Sequence, residues 1–232
     1  MNPDVATYVL VHGAFAGGWI WRAVRSYLRS AGHEVQTPTL TGLGERVHLF
    51  SESVDLETHI CDIVNVLVYE DLHHVILVGA SYGGMVITGV ADRVSERLAH
   101  LYYVDAFIPR DGESMLDLCP EDYRTSLLAR VPPGGLVVPA GDHPVPEVGA
   151  RLTGHPVKTL TQPFRPRNTR RPAIPQTFLR CTDPLHPGLA ISAARARSED
   201  GWHYCELATK HSAYVYAPRE LADLLLAVPG VG

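Results

Sequence analysis

The sequence predicts an α/β fold, in which a mostly parallel sheet carries helices on both faces and a small cap is inserted between strands. Apolar runs of strand length alternate with stretches of helical apolar spacing along most of the chain. A β-branched run at residues 75–78 is also followed by a glycine-flanked turn and a continuous apolar helical stretch. Such alternation implies parallel strands joined by right-handed crossovers. Ligands bind to these sheets at the carboxyl ends of the strands.

Length and composition indicate one domain. The chain has 232 residues, of which 46% are hydrophobic and 19% charged, so it can bury a substantial core without a second full domain. We predict a core formed by residues 1–109 and 173–232, with the cap at residues 110–172. The cap is proline-rich, and a disordered linker is the alternative. Apolar residues that could be buried favour a folded cap: Leu127, Leu128, Val137, Val138 and Phe164.

The first third of the chain contains two predicted strands and two predicted helices. The strands lie at residues 7–12 and 33–37, and the helices at about 19–31 and at 55–69. Beyond the central strand and its helix, further strands are predicted at 101–104, 176–181 and 202–207. A final amphipathic helix is predicted from 218 to about 228.

Charge and cysteine usage exclude several classes of partner. The net charge is -5 and the pI is near 6.2, which does not suit a phosphate backbone, so we expect no nucleic-acid partner. A local cluster of arginines is interpreted as a solvated loop face: Arg165, Arg167, Arg170 and Arg171. The four cysteines lie far apart without a C-x-x-C pair, which predicts neither a zinc site nor a disulfide framework. With no secretory signal or membrane-length apolar run, we expect a cytoplasmic protein without a membrane partner.

Ser81 is the predicted nucleophile. A Gly-x-Ser-x-Gly turn between a buried strand and a helix holds its serine in a strained backbone conformation, and Gly79 and Gly83 leave room for the chain to double back. The pentapeptide alone is common, and an ordinary strand-end turn is the alternative. The strand before it and the apolar helix after it favour a nucleophile elbow, which exposes the Ser81 hydroxyl at the edge of the sheet.

His211 is the predicted general base. A serine hydroxyl is a weak nucleophile at neutral pH, so it must pass its proton to an imidazole that a carboxylate orients. Among the 12 histidines, His211 follows the last predicted strand and precedes the last helix, where its side chain can reach over the strand ends. His73 and His74 lie at the wrong end of a strand, and His143 and His155 fall in the cap.

Two aspartates are candidates for the orienting acid. Asp183 follows a strand in the connection where such folds usually carry their acid, and Asp105 ends the preceding strand at the same edge of the sheet. Asp183 precedes Pro184, so an Asp-Pro turn explains it equally well. Asp105 lies in an apolar segment and would be costly to bury unless an imidazolium paired with it. We therefore favour Asp105 and keep Asp183 as the alternative.

Two backbone amides are predicted to form an oxyanion hole. One belongs to Tyr82, where the helix dipole adds positive potential. The second is predicted at Ala14, in the glycine-rich turn after the first strand, and the Phe15 side chain is expected to line the substrate pocket. Such a turn could instead cradle a phosphate, but it has neither Gly-Lys-Ser/Thr nor the G-x-G-x-x-G spacing.

Four segments together resemble the α/β-hydrolase superfamily: Val9-Leu10-Val11-His12-Gly13-Ala14, Gly17-Gly18-Trp19, Val78-Gly79-Ala80-Ser81-Tyr82-Gly83-Gly84-Met85 and the late His211. The chain is most similar to the branch that contains plant methylesterases, hydroxynitrile lyases and small bacterial esterases. The resemblance implies a helical cap, no cofactor, and a serine triad with oxyanion amides from Ala14 and Tyr82. The lyases of this branch carry a threonine in the first turn and a lysine after the histidine. This chain has Gly13 and Ser212 there, which argues against cyanohydrin cleavage.

The predicted activity is hydrolysis of carboxylic esters, including methyl esters, carbamates and related amides, through an acyl-enzyme without metal or cofactor. Phe15, Trp19 and Tyr82 indicate a small, uncharged, apolar or aromatic substrate, although Trp19 also fits a core position. The alternatives are a hydroxynitrile-lyase-like C–C bond lyase and a non-catalytic small-molecule receptor on the same fold. The sequence leaves a monomer and a homodimer both open.

Overall fold

The strands of the computed structural model follow the predicted order. The structure describes residues 5–168 and 173–228. Within them lie eight strands: β1 (Thr7–Val11), β2 (Glu34–Gln36), β3 (Val75–Ala80), β4 (Leu98–Val104), β5 (Val137–Val138), β6 (His155–Pro156), β7 (Gln176–Cys181) and β8 (Trp202–Leu207).

The described residues also contain nine α-helices: α1 (Arg22–Ser30), α2 (Leu56–Tyr69), α3 (Gly83–Arg93), α4 (Glu121–Leu128), α5 (Pro146–Gly149), α6 (Val157–Thr161), α7 (Ala190–Ser198), α8 (Ala213–Tyr216) and α9 (Pro218–Leu226). Helix α2 begins with a capping box, in which the Asp55 carboxylate accepts from the Thr58 N–H at 2.9 Å. None of the helices in the described ranges is long and apolar enough to cross a membrane.

Six strands form one parallel sheet in the order β2-β1-β3-β4-β7-β8, which confirms the predicted sheet. Alternate residues of β1 face opposite sides, because side chains in a strand alternate with a period of two. Val9 and Val11 pack in the cluster that contains α2 and α3 residues, whereas Tyr8 and Leu10 pack with α1 and α9 residues. Since β3 lies between β1 and β4, the residues that follow these three strands meet at one edge.

The segment between β4 and β7 is folded against the sheet. It contains α4 to α6 and a two-stranded antiparallel pairing of β5 with β6, and its Val138, Leu160 and Phe164 are buried in the same apolar cluster as β3. Its predicted end at residue 172 lies outside the described residues, as do Arg170 and Arg171 of the arginine cluster. Arg165 and Arg167 are exposed and pair with Asp111 and Glu57.

Candidate active site

Ser81 occupies a sharp turn between β3 and α3. Its backbone has φ +51°, a left-handed conformation that is uncommon for a residue with a side chain. The Ser81 N–H donates to the Val104 carbonyl at 3.2 Å, and the Ser81 carbonyl accepts from the Gly84 N–H at 3.0 Å. A Cβ at position 79 would lie 2.6 Å from the Gly83 carbonyl oxygen, so Gly79 is required for the chain to double back.

His211 links Ser81 to a carboxylate. Its loop lies between β8 and α8, and its side chain is 24% exposed. The His211 Nε2 lies 3.0 Å from the Ser81 Oγ, and the Nδ1 lies 2.7 Å from the Asp105 Oδ2. Because a carboxylate accepts, Nδ1 carries the hydrogen, and Nε2 presents its lone pair to the serine hydroxyl. The structure therefore brings together Ser81, His211 and Asp105.

The two candidate acids have different surroundings. Asp105 is fully buried after β4, with φ +43°, and its N–H donates to the Leu179 carbonyl at 2.7 Å. Asp183 is exposed, and its N–H donates to the Thr209 carbonyl at 3.0 Å. Among the described residues, the carboxylate that contacts His211 belongs to Asp105.

The sequence reasoning missed Arg180, which holds the other oxygen of this carboxylate. The Asp105 Oδ1 accepts from Arg180 Nη1 at 2.9 Å and from the Cys181 N–H at 3.4 Å. Arg180 lies in the apolar strand β7 and is 5% exposed. A charged residue in such a strand must find a partner, and this is the signal in the sequence that points to Arg180.

The two amides predicted to form the oxyanion hole belong to Ala14 and Tyr82. Within residues 5–168 and 173–228, neither the Ala14 N–H nor the Tyr82 N–H donates a hydrogen bond to a protein acceptor. The neighbouring Phe15 N–H is occupied, since it donates to His155 Nδ1 at 3.2 Å while Phe15 adopts φ +68°. A Cβ at position 13 would lie 3.0 Å from the Ser81 Cβ, so Gly13 permits this turn to approach the serine.

Three buried histidines support this turn and the elbow. His155 accepts from Phe15 at Nδ1, so its Nε2–H donates to Thr159 Oγ1 at 2.8 Å. His12 accepts the Leu40 N–H at Nε2, at 3.1 Å, so its Nδ1–H donates to the Gly13 carbonyl at 2.8 Å. Each ring therefore holds a defined neutral tautomer.

The third of these histidines, His59, contacts the elbow directly. Its Nε2–H donates to the Thr41 carbonyl at 2.9 Å, so its Nδ1 accepts the Tyr82 hydroxyl at 2.9 Å. Burial lowers the pKa of His12 and of His59 to about 4 and holds the pKa of His155 well below its ordinary value. All three are therefore neutral at pH 7, and sequence reasoning gave them no role.

A cavity of about 180 Å³ opens above Ser81. Phe15 and His211 line it together with apolar side chains from the core and the cap, among them Ile20, Phe107, Met115, Leu127, Val148 and Leu160. Trp19 and Tyr82 are not among the described residues that line it, which corrects the expectation for these two side chains. The Tyr82 hydroxyl is turned toward His59. The central guanidinium carbon of Arg151 lies over the Trp19 ring, 4.4 Å from the ring centroid.

The chain belongs to the alpha/beta hydrolase family, whose family model matches residues 8–225. It is 55% identical over 117 residues to a carbendazim hydrolyzing esterase from Nocardioides sp., a match that covers 50% of this chain and 48% of that protein. It is 36% identical over 104 residues to an alpha-hydroxynitrile lyase from Arabidopsis thaliana, covering 44% of this chain and 40% of the lyase. The matched part of the chain thus spans about half or less of these relatives' lengths.

A solved structure extends the likeness to nearly the whole fold. An extracellular alpha/beta-hydrolase from a Paenibacillus species superposes with a TM-score of 0.84 at 25% identity, over 95% of this chain and 98% of that one. That protein is described as sharing structural and functional homology with tobacco salicylic acid binding protein 2. The predicted fold class and superfamily are confirmed.

Proposed function

We propose that this chain is a serine hydrolase that cleaves carboxylic esters through an acyl-enzyme, with Ser81, His211 and Asp105 as its triad. One observation carries the proposal. An unbroken line of contacts, 3.0 Å and 2.7 Å long, runs from Ser81 through the His211 ring, both of which line the cavity, to the buried Asp105 carboxylate. The esterase name of the Nocardioides relative adds support.

In the acylation step, Ser81 Oγ attacks the ester carbonyl carbon while His211 Nε2 takes the hydroxyl proton. The carbonyl oxygen becomes an oxyanion, which the amides of Ala14 and Tyr82 stabilise because neither is committed to a protein acceptor. When the tetrahedral intermediate collapses, the C–O bond to the alcohol breaks and His211 returns the proton to the leaving oxygen. Asp105 keeps Nδ1 protonated throughout and stabilises the transient imidazolium.

Deacylation repeats these steps with water. His211 Nε2 removes a proton from a water molecule, the resulting hydroxide attacks the acyl carbon, and the same two amides stabilise the second oxyanion. Collapse releases the acid and returns the proton to Ser81 Oγ. No metal ion or cofactor takes part in this scheme.

The cavity favours an uncharged, apolar or aromatic substrate. Among the described residues that line it, none is Lys, Arg, Asp or Glu, so a charged substrate would lose its hydration without a countercharge. The proposal therefore covers small apolar and aromatic esters, with methyl esters, carbamates and related amides as specific candidates. A reducing, cytoplasmic location is part of it, since the four cysteines are free thiols.

The test combines labelling with turnover. The purified protein is treated with a fluorophosphonate probe, and the modified residue is identified by mass spectrometry; we expect Ser81. Hydrolysis of short p-nitrophenyl esters, a panel of methyl and aryl esters, and carbendazim is then measured. Ser81→Ala should abolish both signals, while Ser198→Ala, which removes an exposed helix serine, should retain them. A protein that is neither labelled nor active on any ester contradicts the proposal.

The lyase alternative has its own support in the match to an alpha-hydroxynitrile lyase. A lyase on this scaffold would release cyanide and a carbonyl compound from a cyanohydrin without acylating Ser81. Mass spectrometry after rapid acid quenching separates the two activities, because an acyl adduct on Ser81 requires the hydrolase. A receptor would bind ligand without turnover, and its ligand affinity would survive Ser81→Ala.

A further inference from the structure

The buried carboxylate of Asp105 is shared between the proposed base and an arginine. One oxygen contacts His211 at 2.7 Å and the other contacts Arg180 at 2.9 Å. The side chains of Asp105 and Arg180 are 0% and 6% exposed. Their strands are adjacent, with Val104 of β4 opposite Leu179 of β7. The arginine therefore approaches the carboxylate from the neighbouring strand end.

The other terminal nitrogen of the Arg180 guanidinium also donates a hydrogen bond. Arg180 Nη2 donates to the His186 carbonyl at 3.1 Å, and the His186 ring lies beside the His211 ring with centroids 4.3 Å apart. One planar guanidinium thus connects the carboxylate that holds His211 to the loop that packs against its imidazole. A planar fork with fixed donors can hold both acceptors at once, which a single ammonium cannot.

We propose that Arg180 is a positioning residue for the reaction, which orients the Asp105 carboxylate toward His211 and offsets its negative charge. This inference rests on the proposed function. Asp105 alone would favour the imidazolium, and an imidazolium cannot accept the proton of Ser81. A fixed positive charge on the far side of the carboxylate opposes that effect.

Other titratable groups also lie around His211, and their charge states decide whether they add to the effects of Asp105 and Arg180. Burial lowers the pKa of His186 to about 4, so it is neutral at pH 7. Burial raises the pKa of the Cys181 thiol to about 12 and raises the pKa of Tyr214, so both stay protonated. The Lys210 ammonium lies over the Tyr216 ring, 4.8 Å from its centroid. Among the described residues, Asp105 is thus the charged side chain that contacts the proposed base, and Arg180 is the charged side chain that pairs with Asp105.

The experiment compares Arg180→Lys with Arg180→Gln in the full chain. The pH dependence of kcat/KM reports the ionisation of His211 in the free enzyme. Removing the charge in Arg180→Gln should shift the acid limb to higher pH, because the imidazolium loses a repulsive neighbour. Arg180→Lys keeps the charge, so its acid limb should stay near that of the wild type. Its kcat should fall by about tenfold, because one ammonium cannot hold both acceptors.

A matched control and two contrary outcomes complete the design. Arg195→Gln breaks two 2.6 Å contacts between Arg195 of α7 and Glu113, and because neither residue lines the cavity, kcat and the pH profile should be unchanged. A folded Arg180→Gln with wild-type kcat and acid limb overturns the inference. If Arg180→Gln does not fold, as judged by circular dichroism, a wild-type kcat in Arg180→Lys overturns it instead. Ser81→Ala is measured in parallel: if it retains activity, the proposed function fails, whereas its loss beside unchanged Arg180 variants refutes only the role of Arg180.

Discussion

Histidines lie on both sides of Ser81 in the described part of the chain, but only those on one side have charged side chains as partners. On one side, His211, the proposed base, is partly exposed and contacts the Asp105 carboxylate, which is paired with Arg180. On the other side, next to the proposed oxyanion hole, His12 and His155 are fully buried, and their ring nitrogens hydrogen-bond to backbone or hydroxyl groups. Histidine, the same type of residue, thus occurs in two opposite electrostatic environments around Ser81.

This difference shows that closeness to a nucleophile does not make a histidine a base. Burial without a carboxylate lowers the pKa of His12 to about 4, which leaves a rigid hydrogen-bonding group that does not titrate near neutrality. A base needs a solvent-accessible ring and an anionic partner that stabilises its charged form. Among the described histidines that contact the site, His211 meets both conditions.

The largest expected effect on kcat comes from replacing Asp105, the proposed acid. Asp105→Asn should reduce kcat by about 10⁴-fold, because an amide cannot hold His211 in the productive tautomer. Steady-state hydrolysis of a p-nitrophenyl ester measures this loss. Asp183→Asn is the matched control and should leave kcat unchanged, since that side chain is exposed. The reverse pattern would identify Asp183, and not Asp105, as the acid.

A smaller effect is expected from His155 on the neutral side. His155→Leu removes the acceptor of the Phe15 N–H, which frees the turn that carries the Ala14 amide, so kcat should fall by about 10- to 100-fold with little change in KM. His155→Gln offers a carbonyl acceptor and should recover part of kcat. Steady-state kinetics of the two variants provides the measurement. Wild-type kcat in a folded His155→Leu would show that the cap does not support the oxyanion hole.

A fall in pH should destabilise the fold through the buried neutral histidines His12 and His59. His12 and His59 ionise near pH 6.5 when exposed, and burial lowers their pKa to about 4 in the folded chain. The unfolded chain therefore binds more protons below pH 6.5. Stability from these groups is complete above that pH and is lost as the pH falls toward 4.

Urea denaturation at a series of pH values tests this expectation. The free energy of unfolding of His59→Gln should fall less steeply between roughly pH 6.5 and 4 than that of the wild type, because one buried group no longer titrates. His48→Gln removes an exposed histidine and should leave the slope unchanged. Equal slopes in all three proteins would contradict the assignment of buried neutral histidines.

The smallest effect on activity is expected from Tyr82→Phe. The variant loses the hydroxyl that donates to His59 Nδ1 and leaves a buried acceptor unpaired, at a cost of about 1–3 kcal/mol in unfolding free energy. Its kcat should stay near the wild-type value, because the proposed contribution of Tyr82 to the reaction is its backbone amide. Thermal denaturation and ester hydrolysis measure the two quantities. A large loss of kcat at unchanged stability would assign the phenol a direct role.

The sheet was predictable to within a few residues because its central strands β1 and β3 are buried on both faces. Continuous apolar runs identified β1 and β3, and the bounds predicted for β7 and β8 agree with the structure. Helix α7 and the short elements of the cap were missed. Helix α7 lacks a strong apolar period, which is the signal on which the prediction relied, although it packs against β8.

Amino-acid order alone specified the elbow at Ser81 and a histidine placed to reach it, because both follow from local patterns of strand, turn and helix. It favoured Asp105 over Asp183 as the acid without excluding Asp183, and it gave no sign of the contacts that His155 and Arg180 make. Tertiary structure settled which carboxylate contacts His211, since that depends on strand order and on which loop turns inward. Contacts between residues far apart in the chain arise from register and burial, and neither is encoded in any short segment.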